Sequence, residues 1–309
     1  MNTQTSKALG ISMLCQLLMY CIYSFTTTLC APLGKIVFGI IDCLLYAAVF
    51  AFPLLVYLKT RRTSLLKLLL IDKGNSNERT CNRENHGLLL VFGFAMTVTA
   101  VNLASMSTDA VYSLFGVAKP AVKSMNAEEL IYLFIRNVIL AAIFEELLFR
   151  GAVLDAAEDA GRVKKILLSA LLFALMHCSL HSFFYAFAAG AVIAYFSIRA
   201  NSVLLGIAIH FLQNLSTYIF SVLMQSTDAA VYNTVSLTCF FALLAIATIG
   251  TIEAVFFEVK NRCNAPAIKE TAKNTLAKSF ISNKKSERDF PIELIGYIII
   301  SAILTVVNF

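Results

Sequence analysis

The amino-acid sequence predicts an all-α polytopic membrane protein, a bundle of eight or nine transmembrane helices. Three observations carry that prediction. Of 309 residues, 59% are hydrophobic and 14% charged, where a soluble domain has roughly 45–50% and about 25%; mean hydropathy is +0.76. Nine stretches are apolar over roughly the 20 residues that a bilayer-crossing helix needs, with some allowance for local thinning. They are 9–29, 37–57, 87–105, 130–153, 164–180, 183–198, 202–224, 231–257 and 291–308. With the N-terminus in the cytoplasm, 21 of the 25 Lys and Arg residues then fall on the cytoplasmic side. Lys35, Lys119 and Lys123 fall on the other side and Arg136 within a span, which is the asymmetry of the positive-inside rule.

Taken in order, the first span follows one lysine, Lys7, and has no small-residue cleavage pattern, so it is expected to be retained rather than removed as a signal peptide. The second span leads into a polar stretch, 58–86, that holds seven basic residues. The third is plain. The fourth ends in "IFEELLFRG", residues 143–151. The fifth and sixth are short and joined by "CSLHS", the tight turn of a helical hairpin. The seventh contains "HFLQN". The eighth leads into a second polar stretch, 258–290, with eight basic residues, and the ninth closes the chain as given. Both polar stretches read as solvated cytoplasmic loops. The expected location is a cell (plasma) membrane, multi-pass, with the N-terminus cytoplasmic.

Trp is absent, so Tyr and Phe must supply any interfacial belt. The net charge of +6 is the loop charge that sets orientation; the expected partner is the lipid bilayer, not a nucleic acid. Eight cysteines are scattered without a Cys-x-x-Cys pair, mostly in apolar runs, and imply neither a disulfide framework nor a zinc site.

Polar and ionisable groups inside spans that stand out are functional candidates by default. Here they are Glu145, Glu146 and Arg150 in the fourth span, His177 with His181 one turn on in the fifth, His210 and Asn214 in the seventh, and Arg136 in the fourth. Side chains four apart share a helix face and neighbours diverge by about 100°. Glu146 therefore suits an ion pair with Arg150, while Glu145 points elsewhere. At about 1.5 Å of rise per residue, Glu145 lies roughly 12 Å from the cytoplasmic end of its span, His177 roughly 18 Å, and His210 and Asn214 roughly 12 and 18 Å. Each has a structural alternative taken singly: Glu146–Arg150 as a brace, His177 and Asn214 as interhelical hydrogen bonders, His181 as an interfacial residue, Phe173 as packing, Arg136 as a snorkelling or paired cation. Their coincidence in depth on three helices favours an active site. A carboxylate or a nearby imidazole can take a proton from water, and a His and an Asn on one face can donate to an oxyanion. Zinc is the alternative, since His and Glu suit it. There is no H-E-x-x-H, no G-x-S-G, no Gly-Asp pair and no P-loop, which sets other intramembrane proteases and ATP-driven transport aside.

The motifs "EELLFR" (145–150), "FALMH" (173–177) and "HFLQN" (210–214), in that order, resemble the E-E-x-x-x-R, F-x-x-x-H and H-x-x-x-N/D signatures of the CPBP family. That family is also called Abi or CAAX-protease-like and includes relatives of the eukaryotic Ras-converting enzyme. The stretch between the second and third motifs, with an aromatic run and Gly190, is similar too. The resemblance covers about 130–225. It implies an intramembrane endopeptidase acting on a membrane-associated peptide or protein substrate near the cytoplasmic side. Glu145 and His177 would activate water, His210 and Asn214 would stabilise the oxyanion, and Glu146 and Arg150 would give structural support. No cofactor is expected to be required. If a divalent metal such as zinc takes part, as in the family's early description as metalloendopeptidases, Glu145, His177 and His210 would hold it. The implied organisation is N-terminal membrane helices over 1–126, a catalytic core over 127–225 and C-terminal membrane helices over 226–309. The alternatives are a non-proteolytic membrane scaffold or bacteriocin-immunity protein and, on weaker grounds, a secondary transporter using the carboxylate as a proton relay.

Overall fold

In hydrocarbon a backbone must satisfy its own N–H and C=O groups, and an apolar chain does so as helix. The computed structural model describes residues 3–71, 85–114, 125–276 and 291–307, and every regular element among the described residues is helical. In order come α1 (Thr3–Cys30), α2 (Lys35–Arg61), the short α3 (Leu65–Leu68) and α4 (His86–Leu114). A continuous run over 127–156 follows. It is built from α5 (Ala127–Leu133), a π-helical segment (Phe134–Leu140), α6 (Ala141–Glu146), a second π-helical segment (Leu147–Ala152) and α7 (Val153–Ala156). Then come α8 (Arg162–Leu175), α9 (Leu180–Ala200), α10 (Val203–Ser226), α11 (Ala229–Leu276) and α12 (Ile292–Val307).

Among the described residues, six helices are long and apolar enough to cross a membrane: α1, α2, α4, α9, α10 and α11 up to Lys260. The chain is an all-α, multi-pass integral membrane protein. The other three expected spans are present as helix but differ in kind. The run 127–156 is interrupted twice, α12 has 16 residues, and α8 has 14. At about 1.5 Å per residue α8 is about 21 Å long, short of a hydrocarbon core of about 30 Å.

Three expectations need correction. α8 stops at Leu175, so His177 lies in the turn beyond it and not inside a span reaching 180. That turn is closed by His177 N–H to Ala174 O (3.2 Å) and Cys178 N–H to Leu175 O (3.1 Å), with Cys178 in the left-handed region at φ 46°. The expected loop from 258 is helical as far as Leu276; its Ala, Lys and Glu are good helix formers and extend α11 past its apolar part. The expected loop from 58 begins with the end of α2 and α3. The remainders of the two expected loops, 72–84 and 277–290, lie outside the described residues.

Two apolar cores flank the site. One gathers Leu9 and Met13 of α1, Phe50 and Tyr57 of α2, Phe149, Leu172 of α8 and Tyr297 of α12. The other gathers Leu89 and Phe92 of α4, Ile193 and Phe196 of α9, and Ile209 of α10. The α8–α9 hairpin is close-packed because Gly190 has no side chain: a Cβ there would sit 3.1 Å from both Ala170 Cα and Phe173 Cδ1. α11 is the peripheral helix, with 11% of its most apolar window buried. It is fastened by Arg199–Glu253 pairs of 2.6 and 2.5 Å and an Arg162–Glu258 pair of 2.6 Å, with the Arg199 guanidinium 3.9 Å from the Phe257 ring centroid.

Candidate active site

The site starts from the cap of the run 127–156. Asn126 accepts from Glu129 N–H (2.9 Å) while Glu129 accepts from Asn126 N–H (3.0 Å). This capping box satisfies two otherwise orphaned donors and fixes where the helix begins. The two π-helical segments then bracket α6, and such wide turns displace the faces of a helix and recur at functional positions. α6 carries both glutamates, each buried: Glu145 is 3% exposed and Glu146 is fully enclosed.

Glu146 faces away from open space. Its Oε1 lies 2.9 Å from Arg150 Nη1 and 2.8 Å from His210 Nδ1. Arg150, also fully enclosed, donates from Nη2 to Gly190 O at 3.1 Å and stands 4.7 Å over the Phe173 ring. The i,i+4 pair expected from spacing is formed, and it reaches further than a brace. By accepting from His210 Nδ1, Glu146 orients that imidazole and turns Nε2 toward Glu145. Gly206 permits the approach of α10: a Cβ on it would stand 3.1 Å from Glu146 Oε2 and would collide with Ser197 Oγ.

Glu145 diverges as neighbouring helical residues must. Its Oε1 accepts from the Tyr46 hydroxyl of α2, and its Oε2 stands 4.0 Å from His210 Nε2. Two hydrogen bonds of about 2.8 Å span that gap with an angle of about 90° at a shared water. Such a water would touch the carboxylate and the imidazole together.

His177 and Asn214 complete the group. His177 Nδ1 is 3.0 Å from Phe173 O, and the Phe173 ring lies edge-on between the two imidazoles, 5.2 Å from His177 and 5.8 Å from His210. Asn214 donates one amide N–H to Asn137 O at 2.7 Å, in the first π-helical segment; the amide carries a second N–H. Glu145, His177, His210 and Asn214 all line one cavity of about 590 Å³. Glu146 and Arg150 are behind its wall. His181 is not among the lining residues; it packs edge-on against Tyr112 and Tyr185.

Tyr23, Tyr46 and Gln213, which line this cavity, and Asp42 behind it are absent from the sequence expectation, while Arg136 is in it. Of the two forms expected for Arg136, snorkelling or pairing, the structure shows the paired one. Its Nε is 3.2 Å from Asp42 Oδ2, its Nη2 donates to Tyr23 at 2.6 Å, and its guanidinium lies 4.7 Å from the Tyr46 ring centroid. Tyr23 in turn donates to Asp42 Oδ1 at 2.7 Å. Asp42 carries a signal that finds it, since it is an ionisable residue inside the second span. Tyr23, Tyr46 and Gln213 carry none, because such residues in apolar runs read as belt or packing.

Among the described residues no three His, Cys, Asp or Glu side chains are grouped so as to hold an ion. Glu145, His177 and His210, the set that would hold zinc, face one cavity, with His210 Nε2 4.0 Å from Glu145 Oε2 and His210 Nδ1 held by Glu146, as an outer-shell carboxylate holds a metal-ligating imidazole.

Residues 127–216, which hold all three motifs, match the family model described as Type II CAAX prenyl endopeptidase Rce1-like. No curated protein and no solved structure matches the chain significantly. Over that segment, less than a third of its length, the chain is similar to the Rce1-like proteins of the CAAX-protease-like family.

Proposed function

We propose that this protein is an intramembrane endopeptidase that hydrolyses a peptide bond of a membrane-associated substrate near the cytoplasmic face, by a glutamate-activated water and without a required metal. The observation that carries the reading is the convergence of Glu145, His177, His210 and Asn214 on one cavity, with the Glu145–His210 gap sized for a water. Glu145 is the general base and His177 assists it. His210 Nε2 and the second amide N–H of Asn214 are the donors to the tetrahedral oxyanion, a contribution worth about 10²–10³ in turnover per donor in well-studied cases. Glu145, once protonated, gives its proton to the leaving amine. Glu146 holds His210 and Arg150 in register. The basic stretches support a cytoplasmic N-terminus and cytoplasmic polar stretches, and the proposed location is the plasma membrane.

The test compares membrane peptides by mass spectrometry between cells carrying the wild-type protein and Glu145→Gln. Loss of the base lowers turnover by roughly a hundredfold or more, so precursor peptides accumulate and truncated ones disappear while the variant is still inserted at wild-type abundance. Identical peptide inventories, with function retained, would assign the protein to a non-proteolytic role.

A further inference from the structure

Glu145 has two carboxylate oxygens, and only one of them faces His210. The structure shows what holds the other. Tyr46 donates its hydroxyl hydrogen to Glu145 Oε1, from a helix ninety-nine residues away in sequence. Tyr46 is itself held. The Arg136 guanidinium lies 4.7 Å from its ring centroid, and Arg136 is fixed by Asp42 at 3.2 Å and by Tyr23 at 2.6 Å. A chain of contacts thus runs Asp42–Arg136–Tyr46–Glu145, and all of it but Asp42 lines the cavity.

Resting on the protease reading above, we infer that Tyr46 is a positioning residue that commits Glu145 to use Oε2 as the base, with Arg136 and Asp42 holding the phenol in place. Three physical points support it. A carboxylate rotates about its last bond at little cost, since terminal sp³–sp² torsions are broad, so an unheld Glu145 would present either oxygen. A hydrogen bond to a charged acceptor is among the stronger kinds, enough to choose between orientations. The cation over the ring face is drawn to the π-electrons, and it restrains the ring without occupying the hydroxyl. The phenol therefore has one acceptor to serve, and Glu145 has one oxygen left for water.

The same helix supplies a control. Tyr57 donates to Asp155 Oδ2 at 2.6 Å, again phenol to carboxylate, but away from the cavity. If Tyr46 were merely one more structural hydrogen bond, the two would respond alike to loss of the hydroxyl.

The experiment uses full-length protein in proteoliposomes with two readouts. The first is cleavage of a farnesylated, internally quenched peptide ending in a cysteine–aliphatic–aliphatic–variable sequence. The second is the rate at which dicyclohexylcarbodiimide, an apolar carboxyl reagent, labels Glu145, read by mass spectrometry. Tyr46→Phe keeps the ring and its cation but frees Oε1. It should lower kcat about tenfold to a hundredfold with KM little changed, and should speed Glu145 labelling. Tyr57→Phe should change neither, whatever it does to thermal stability. Wild-type kcat and wild-type labelling in Tyr46→Phe would overturn the inference, as would equal losses of activity in both variants. A wild-type protein that leaves this peptide intact would count against the protease reading with prenylated peptides, and the labelling comparison alone would then decide the role of Tyr46.

Discussion

Replacing Glu146 by Gln tests the architecture behind the cavity. Arg150 is fully enclosed, and Glu146 is the anion in direct contact with it, at 2.9 Å. Remove that charge and the guanidinium keeps neutral partners, the Gly190 carbonyl at 3.1 Å, the glutamine carbonyl and the face of Phe173, but loses its contacting anion. Breaking a buried pair on one side typically costs about 3–5 kcal/mol, because the surviving charge stays desolvated without compensation. Over a chain of this size that loss lowers the melting temperature by on the order of 10 °C. The penalty belongs to the stranded cation, so Glu146→Gln combined with Arg150→Met should recover much of it; well-packed apolar replacements of buried pairs are often neutral. The glutamine carbonyl can still accept from His210 Nδ1, so cleavage by Glu146→Gln should fall less than by Glu145→Gln. The assay is the fraction of monodisperse protein after stepwise heating in detergent, beside cleavage by the same samples. A Glu146→Gln protein as stable as wild type, or a double variant no better than the single one, would refute the reasoning.

Other outcomes follow from the same geometry. Reporters fused after residues 75 and 275 should both read as cytoplasmic, because 15 of the 25 basic residues lie in the two polar stretches; opposite sides would mean a miscounted span. Purified active protein should keep its activity through chelation, and activity lost to a chelator and restored by stoichiometric zinc would overturn the metal-free proposal. Gly206→Ala should cost about 1–3 kcal/mol of stability, the usual penalty of overpacking, and should lower cleavage as well, since the new methyl displaces Ser197 and Glu146 and so shifts His210; a variant with wild-type stability and turnover would show that α9 and α10 part without cost.

The helical membrane architecture was legible because apolar run length and basic asymmetry are both written locally in the chain. The gathering of Glu145, His177, His210 and Asn214 was legible for a related reason, since polar groups in apolar spans are rare enough that a common depth stands out. What was not legible lies across long sequence separations or in backbone detail. Nothing in "FIRNVIL" or "LLFRGA" announces a π-helical segment, as neither holds a proline and only one a glycine. The early stop of α8 put His177 in a turn that helical periodicity alone carries straight through. Tyr46 and Glu145 meet only after α2 packs beside α6, and no spacing rule reaches that far. Gly206 likewise reads as one more small residue until Ser197 and Glu146 are found against it.

The two imidazoles have a consequence for proton inventory. A carbonyl or a carboxylate can only accept, so His177 Nδ1 at Phe173 O and His210 Nδ1 at Glu146 Oε1 must each carry a hydrogen. In a neutral ring the second nitrogen is then bare. Both histidines, when neutral, are the same tautomer, and both offer a lone pair from Nε2 instead of a donor. His177 so arranged is equipped to draw on a water proton. His210 so arranged would repel an oxyanion. The role proposed for His210 therefore demands a doubly protonated ring, lying between Glu146 at 2.8 Å and Glu145 at 4.0 Å. In the proposed hydrolytic cycle no proton from bulk water is then needed, because His210 would keep both of its own while Glu145 would take one from the attacking water and return it to the departing amine.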